Sequence, residues 1–196
     1  AVVSQIKKKS FSQSPYAPFT TSTLQQDGVR KLNMSSDRVM KAAQKLYEGT
    51  GNGGYITYMR TDSINLSAEA INDIRSFVSG EKTLGKQLLP NSPREYKTKA
   101  KNAQEAHEAI RPTKMDMTPD RLRQESSLDQ DELKLYALIW KRTIASQLVN
   151  AEFESTVVDI DCGDGQFRAN GKVLVFPGFL AVYDVSKDIE DDSEDN

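Results

Sequence analysis

The hydrophobic period of the sequence changes near Asn150. Residues 130–149, QDELKLYALIWKRTIASQLV, repeat apolar side chains at helical spacing. The segments that follow, FESTVVDIDC and FRANGKVLVF, alternate with a period of two, and the GDGQ between them is a turn signal. A long helix that leads into a hairpin predicts an α+β fold.

The predicted long helix has distinct buried and exposed faces. The buried stripe of this helix is predicted to comprise Tyr136, Ile139, Trp140, Ile144 and Leu148, with Lys134, Lys141 and Arg142 outside.

Beyond the hairpin, we expect PGFLAVYDV (177–185) to add a third short strand.

The N-terminal half predicts a strand end, two short helices and another strand. Residues 1–17 read as the end of a strand and a loop, and residues 20–34 as a helix. Residues 36–48 form a second helix, which Gly49 ends. The GTGNGG that follows lacks the Lys-Ser/Thr of a P-loop and reads as a connector to the strand YITYM. Two helices, a turn and a strand indicate a winged-helix-like arrangement. The stripe of the second helix is predicted to be Val39, Ala43, Leu46 and Tyr47.

The middle of the chain predicts packing elements and a basic loop. Residues 66–80 read as a helix capped by Ser67. Residues 81–102 are polar and read as a surface loop, and residues 102–110 read as a short helix that ends before Pro112.

Composition limits the function classes. The 196 residues carry a net charge of −2, but residues 188–196 hold six acidic side chains and no basic one. The rest is mildly basic, which is compatible with a polyanionic partner. No apolar run approaches the roughly 20 residues that span a bilayer, and no signal peptide is visible. Cys162 is the single cysteine, which excludes an internal disulfide and favours a reducing, intracellular setting.

The stretch GGYITYMRTDS places a phenol and a guanidinium two residues apart. In a strand, Ile56, Tyr58, Arg60 and Asp62 would share one face, with Tyr58 and Arg60 about 7 Å apart. Both could then address one phosphodiester, the phenol as nucleophile and the guanidinium as charge partner. The alternative is a core tyrosine beside a surface ion pair, and the spacing by itself favours that alternative.

Longer motifs favour the interpretation of Tyr58 as a nucleophile over that of a core tyrosine. The chain contains PFTTSTLQQ (18–26), ITYMRTDS (56–63) and NAQEAHEAIRPT (102–113) in this order, followed by LKLYALIWKRTIASQL (133–148). Together they closely resemble the type IA DNA topoisomerases, the bacterial topoisomerase I group. The resemblance runs over most of residues 15–182.

The resemblance implies an activity and a set of site residues. Tyr58 would attack the DNA backbone and become joined to a 5′-phosphate, and Arg60 would clamp the phosphate. His107 is implied as a DNA-binding or proton-relay residue, and Arg111 as a weaker DNA contact. The full-length enzyme would relax negatively supercoiled DNA without ATP, acting on a single-stranded segment, in the cytoplasm (bacterial nucleoid) or an equivalent compartment, with no membrane partner.

The resemblance also implies a missing part. The family holds Mg²⁺ on an acidic cluster of a separate Toprim domain, which also supplies a glutamate and a lysine, and no such domain is visible here. DIDCGDG (159–165) reads as a hairpin turn, so we expect this chain to bind no metal and, as a monomer, not to cleave DNA alone. The predicted domains are an arch portion (1–17), the winged-helix-like tyrosine domain (18–125), the helix and strands of the arch (126–185) and a disordered acidic tail (186–196).

Two other functions stay open at this level. A tyrosine recombinase also joins a tyrosine to DNA, but its Arg-His-x-x-Arg set precedes the tyrosine, whereas His107 and Arg111 follow Tyr58 and have a different spacing. A non-catalytic nucleic-acid or protein-interaction module would use a basic loop for salt-dependent binding. That loop contains Arg94, Lys97, Lys99 and Lys101.

Overall fold

A computed structural model describes residues 1–51, 53–82, 84–96 and 108–184. Within these ranges the fold is α+β, as predicted, with a helical body and one antiparallel sheet. None of the helices described there combines the length and apolar character needed to cross a bilayer. The helices are α1 Thr21–Leu32, α2 Ser36–Glu48, α3 Ala68–Gly80, α4 Pro119–Glu125 and α5 Gln130–Ser146; the strands are β1 Val2–Gln13, β2 Ala151–Cys162 and β3 Gly165–Phe176.

The sheet joins the N-terminal strand to the predicted hairpin. Strand β2 lies in the centre and pairs antiparallel with β1 and with β3. The predicted hairpin turn is confirmed, and Gly163 adopts the left-handed φ of 59° that such a turn favours. The third strand is therefore β1, which is distant in sequence from the hairpin.

The predicted strand at residues 177–185 is wrong. Residues Gly178–Ala181 form a 3₁₀ helix instead. Gly178 has a φ of 49°, and a Cβ there would lie 2.1 Å from the carbonyl oxygen of Asn150, so the chain turns sharply where a strand would have to continue. Phe179 and Tyr183 are buried while Ala181 between them is exposed, so burial does not alternate as it would in a strand.

Side-chain caps fix the helix starts. The hydroxyl of Thr20 accepts a hydrogen bond from the backbone N–H of Thr23, whose own hydroxyl accepts from the Thr20 N–H in a capping box. Ser35 caps α2, and Ser67 caps α3 as predicted. These caps set where α1 and α2 begin, and therefore where the loops around the site can lie.

Helix α5 forms the centre of the helical body. Its predicted apolar stripe is confirmed, because all five side chains are buried. It packs against α1, α2 and α4. Tyr136 Oη donates to the carbonyl of Met117 at 2.6 Å, and Trp140 Nε1 donates to that of Met115 at 3.1 Å, so the polar atoms of both buried aromatic residues are satisfied.

The predicted exposure of Arg142 is wrong, because its guanidinium is buried. It donates to the Ala17 carbonyl at 2.7 Å and to Tyr183 Oη at 3.1 Å, and it lies 3.4 Å from the Asp27 carboxylate. The rings of Tyr16, Phe19 and Tyr183 lie within 5.1 Å of its central carbon. Lys134 and Lys141 are exposed as predicted. A buried arginine needs such partners, and a helical pattern alone does not reveal them.

The predicted surface loop at residues 81–102 is partly internal. Leu84 and Leu88 are buried, and Lys86–Leu88 form a 3₁₀ helix. The Arg94 guanidinium donates to the Leu148 carbonyl and to the Asn150 side chain, so it anchors the loop and is not free for a polyanion. Tyr96 Oη donates to the Ser146 carbonyl at 2.8 Å.

Several predictions fall outside the described residues. These are Lys97, Lys99 and Lys101 of the basic loop, most of the helix predicted for 102–110, and the acidic tail. The described end of that helix, residues 108–110, is not helical, and Ile110 forms an isolated bridge with Phe19. The division of the chain into domains stays a prediction.

Candidate active site

The segment that carries Tyr58 and Arg60 is not the strand that we predicted. Ile56 forms one isolated bridge, with Pro112, and the residues after it bend. Ile56 and Met59 are both buried, whereas 48% of Tyr58 is exposed. Strict alternation would have placed Ile56 and Tyr58 on one face, and the bends separate them. The expected alternative of a core tyrosine does not hold.

Hydrogen bonds bring three of the sequence motifs together at this segment. On one side, Thr57 N donates to the Arg111 carbonyl at 2.9 Å. On the other side, Thr21 N donates to the Thr61 carbonyl at 2.9 Å. The outer two motifs also pair directly, because Ile110 N donates to the Phe19 carbonyl at 2.9 Å. The tyrosine segment therefore runs between the start of α1 and residues 108–113.

The Tyr58 ring makes an aromatic contact on the protein surface. Its partner is Tyr47, at a centroid distance of 5.2 Å and an interplanar angle of 66°, an edge-to-face geometry. Tyr47 was predicted to join the buried stripe of α2, but 40% of it is exposed. Among the described residues, the Tyr58 hydroxyl has no hydrogen-bond partner, so it is open to a substrate.

Arg60 lies in an open groove at the start of α1. The groove has a volume of about 520 Å³. Arg60 is exposed and, within the described ranges, makes no hydrogen bond or ion pair. The N-terminus of a helix attracts anions because its first backbone N–H groups and the helix dipole point there. Tyr58 is not part of this lining, which consists of Thr20, Thr21, Ser22, Arg60, Thr61 and Asp62.

The predicted DNA contact Arg111 is already engaged inside the protein. Its guanidinium donates twice to the Glu108 carboxylate, at 2.8 and 2.9 Å, and once to the Pro112 carbonyl at 2.9 Å. Glu108 also accepts from Ser67 N at 2.8 Å. Burial alone would raise the pKa of Glu108, but the hydrogen bonds from Arg111 and Ser67 outweigh it and hold the pKa below the ordinary value. The DNA-contact role of Arg111 stays a prediction.

His107 lies outside the described residues, so its predicted role also stays a prediction. For a divalent metal, the lining of the Arg60 groove offers one carboxylate, that of Asp62. Nowhere in the described ranges do three or more metal-ligating side chains gather in one group. These residues do not make a Mg²⁺ ligand set.

Three functional features were not predicted from the sequence. The threonine hydroxyls that hold the tyrosine segment bridge residues roughly 40 to 55 positions apart, which local patterns do not reveal. Tyr47 was visible only as an apolar position. The Glu108–Arg111 pair did have a signal, because oppositely charged residues three apart commonly interact.

Comparisons with known proteins identify the family. A DNA topoisomerase family profile matches residues 1–195. DNA topoisomerase 1 of Rickettsia felis is 48% identical over 198 residues, which cover 98% of this chain and 25% of that protein. DNA topoisomerase 1 of Xylella fastidiosa, strain Temecula1, is 46% identical over 201 residues, covering 98% and 24%. This chain thus spans about a quarter of the length of these relatives.

A solved structure has a similar fold. The full-length topoisomerase I of Thermotoga maritima superposes with a TM-score of 0.79 at 35% identity, over 94% of this chain and 30% of that one. The resemblance that the motifs predicted is thereby confirmed in sequence and in fold. The chain belongs to the DNA topoisomerase family.

Proposed function

We propose that this chain supplies the tyrosine nucleophile of a type IA DNA topoisomerase that relaxes negatively supercoiled DNA without ATP. The observation that carries the proposal is the exposure of Tyr58. Its neighbours Ile56 and Met59 are buried at 1% and 2%, yet its own side chain is 48% exposed and its hydroxyl is unpartnered among the described residues. A large aromatic residue held at the surface of a firmly anchored segment is available to a substrate.

The chemistry is a reversible exchange of phosphodiesters. Tyr58 Oη attacks a backbone phosphorus, a bond from Oη to phosphorus forms, and the bond from phosphorus to the 3′-oxygen breaks. The proton lost by the phenol is matched by the one that the leaving 3′-oxygen gains. The reverse attack by the 3′-hydroxyl restores the strand and the phenol. One phosphate diester replaces another, so no ATP is needed.

Arg60 is the proposed charge partner of this exchange. Negative charge builds on the phosphate oxygens during attack, and a guanidinium stabilises it through a planar fork of N–H donors. The donors of Arg60 are uncommitted within the described ranges, and the N-terminus of α1 adds to the positive potential of the groove. Asp62 lines the same groove, and its negative charge reduces this potential.

We further propose that the partner is a single-stranded DNA segment, that the isolated chain is monomeric and that the protein acts in the intracellular compartment that holds DNA. Mg²⁺ is proposed as the cofactor of the full-length enzyme, with its ligands on a Toprim domain. His107 is proposed to contact DNA or relay a proton. Since half of the charge stabilisation would lie on that other domain, the isolated chain should bind single-stranded DNA weakly and cleave none.

The test uses the full-length protein and single-stranded oligonucleotides labelled at either end, with adducts trapped by denaturant. We expect the 3′-labelled strand to stay with the protein, because the attachment is to the 5′-phosphate. Tyr58→Phe should form no adduct, whereas the control Tyr55→Phe, whose hydroxyl contacts Thr50 at 2.6 Å, should form it normally. Adduct formation by Tyr58→Phe would refute the proposal and leave a binding module. Retention of the 5′-label would indicate recombinase-type attachment.

A further inference from the structure

The residues that flank Tyr58 and Arg60 are held by two threonine hydroxyls. The Thr57 hydroxyl donates to the Ala109 carbonyl at 2.8 Å and accepts from Arg111 N at 3.0 Å. The Thr21 hydroxyl donates to the Met59 carbonyl at 2.8 Å and accepts from Thr61 N at 2.9 Å. We call these the Thr57 bridge and the Thr21 bridge.

Both bridges replace hydrogen bonds that a sheet would supply. The segment has one isolated backbone bridge, at Ile56, and no strand ladder. Buried backbone donors and acceptors need partners, and here side-chain hydroxyls satisfy them. The Thr57 bridge ties the residue before Tyr58 to residues 109–111. The Thr21 bridge ties the residues on both sides of Arg60 to the start of α1.

We propose that Thr57 and Thr21 are positioning residues that set the backbone from which the nucleophile and its charge partner project. The inference rests on the proposed function of Tyr58. Each hydroxyl accepts from one backbone N–H and donates most closely to one backbone carbonyl, so it restrains the backbone at residues 57, 59 and 61. The Tyr58 side chain makes one aromatic contact among the described residues, with Tyr47, and 48% of the residue is exposed, so the backbone contributes to its orientation. Transfer to phosphorus requires alignment of the attacking and leaving oxygens.

The threonine β-branch strengthens the effect. Two heavy substituents on Cβ restrict χ1, so the hydroxyl stays directed at its partners. Valine has nearly the same shape but can neither donate nor accept, and serine retains the hydroxyl but loses the branch. The three residue types therefore separate hydrogen bonding from packing.

The experiment measures the full-length protein under single-turnover conditions. Oligonucleotide cleavage at saturating DNA gives the rate, and fluorescence anisotropy gives Kd. We expect Thr57→Val to lower the cleavage rate about 10- to 100-fold, with Kd changed less than about twofold, because misalignment by about 1 Å costs rate rather than binding. Thr21→Val should behave alike, and Thr57→Ser should recover most of the rate.

The matched control is Thr143→Val. Thr143 is fully buried in α5, and its hydroxyl donates to the Ile139 carbonyl at 2.9 Å, away from the tyrosine segment. The Thr143→Val protein should cleave the oligonucleotide at the wild-type rate. A wild-type rate for Thr57→Val, or an equal loss in Thr143→Val, would overturn the inference, as would a Kd that rises in step with the lost rate. If Tyr58→Phe is inactive while Thr57→Val is unaffected, only this inference fails; if Tyr58→Phe cleaves, the proposed function fails.

Discussion

Replacing Arg142 by methionine should strongly destabilise the chain. The guanidinium connects three parts of the fold, through the Ala17 carbonyl after β1, Asp27 on α1 and Tyr183 after β3. Burial raises the pKa of the Tyr183 hydroxyl, the Arg142 charge opposes this shift, and the hydroxyl stays protonated and donates to Asp27. Without Arg142, the largely buried Asp27 carboxylate loses its guanidinium partner.

The magnitude follows from the groups left behind. Removing one partner of a buried ion pair costs about 3–5 kcal/mol, because the other charge is uncompensated. The Ala17 carbonyl also loses its donor, and three aromatic rings lose a cation at 4.6 to 5.1 Å. The methionine side chain recovers part of this through apolar burial. Since the Asp27 side chain is 12% exposed, water relieves some of the penalty, and we expect a net loss of about 3 kcal/mol.

Urea unfolding at pH 7, followed by fluorescence of the single tryptophan, Trp140, measures this loss. The exposed neighbour Lys141→Met is the control and should change the free energy of unfolding by less than about 0.5 kcal/mol. Combining Asp27→Asn with Arg142→Met should cost less than the sum of the two single changes, since the stranded carboxylate is gone. A loss below about 1 kcal/mol for Arg142→Met, or strict additivity, would refute the reasoning.

Three other predictions concern stability and binding. Gly28→Ala should lower the free energy of unfolding in urea by about 1–2 kcal/mol, because the new Cβ would lie 2.5 Å from a Val39 methyl and this overpacking exceeds the gain in helix propensity. An unchanged or higher stability would contradict the close approach of α1 and α2. Because the pKa of Glu108 is lowered in the fold, its contribution to the free energy of unfolding is present above the ordinary pKa of 4.5 and is lost as the pH falls through the folded-state pKa. The stability advantage of the wild type over Glu108→Gln should therefore shrink below about pH 4.5. An advantage that grows there would contradict the sign of this pKa shift. Arg60→Ala should reduce the slope of log Kd against log salt by about 0.7 on single-stranded DNA if Arg60 contacts one phosphate, and an unchanged slope would exclude that contact.

The fold was predictable wherever local periodicity and caps decide it. The helical stripe of α5, the caps of α2 and α3 and the hairpin of β2 and β3 follow from short-range patterns, and the structure has them. The tyrosine segment and residues 177–185 were predicted wrongly, because tertiary hydrogen bonds and a left-handed Gly178 override their apparent β pattern. Long-range pairing decides both segments.

The motifs singled out candidate site residues, whose roles stay a prediction, but they did not reveal how the site is built. The motifs identified Tyr58 and Arg60, and the structure exposes both. The spacing argument placed them on one strand face, whereas the segment bends and its threonines bond to distant segments. The burial of Arg142 was likewise not predictable from local patterns, because its partners Ala17, Asp27 and Tyr183 lie far from it in the sequence.

The central claim is that Tyr58 exchanges its phenolic proton for a DNA phosphate. The most direct measurement traps the adduct of the full-length protein with a single-stranded oligonucleotide, digests the protein and the DNA, and locates the residual nucleotide by mass spectrometry. We predict a nucleotide joined through its 5′-phosphate to the peptide that contains Tyr58. A nucleotide on a peptide with another tyrosine, such as Tyr47, or an active enzyme that yields no modified peptide, would contradict the account.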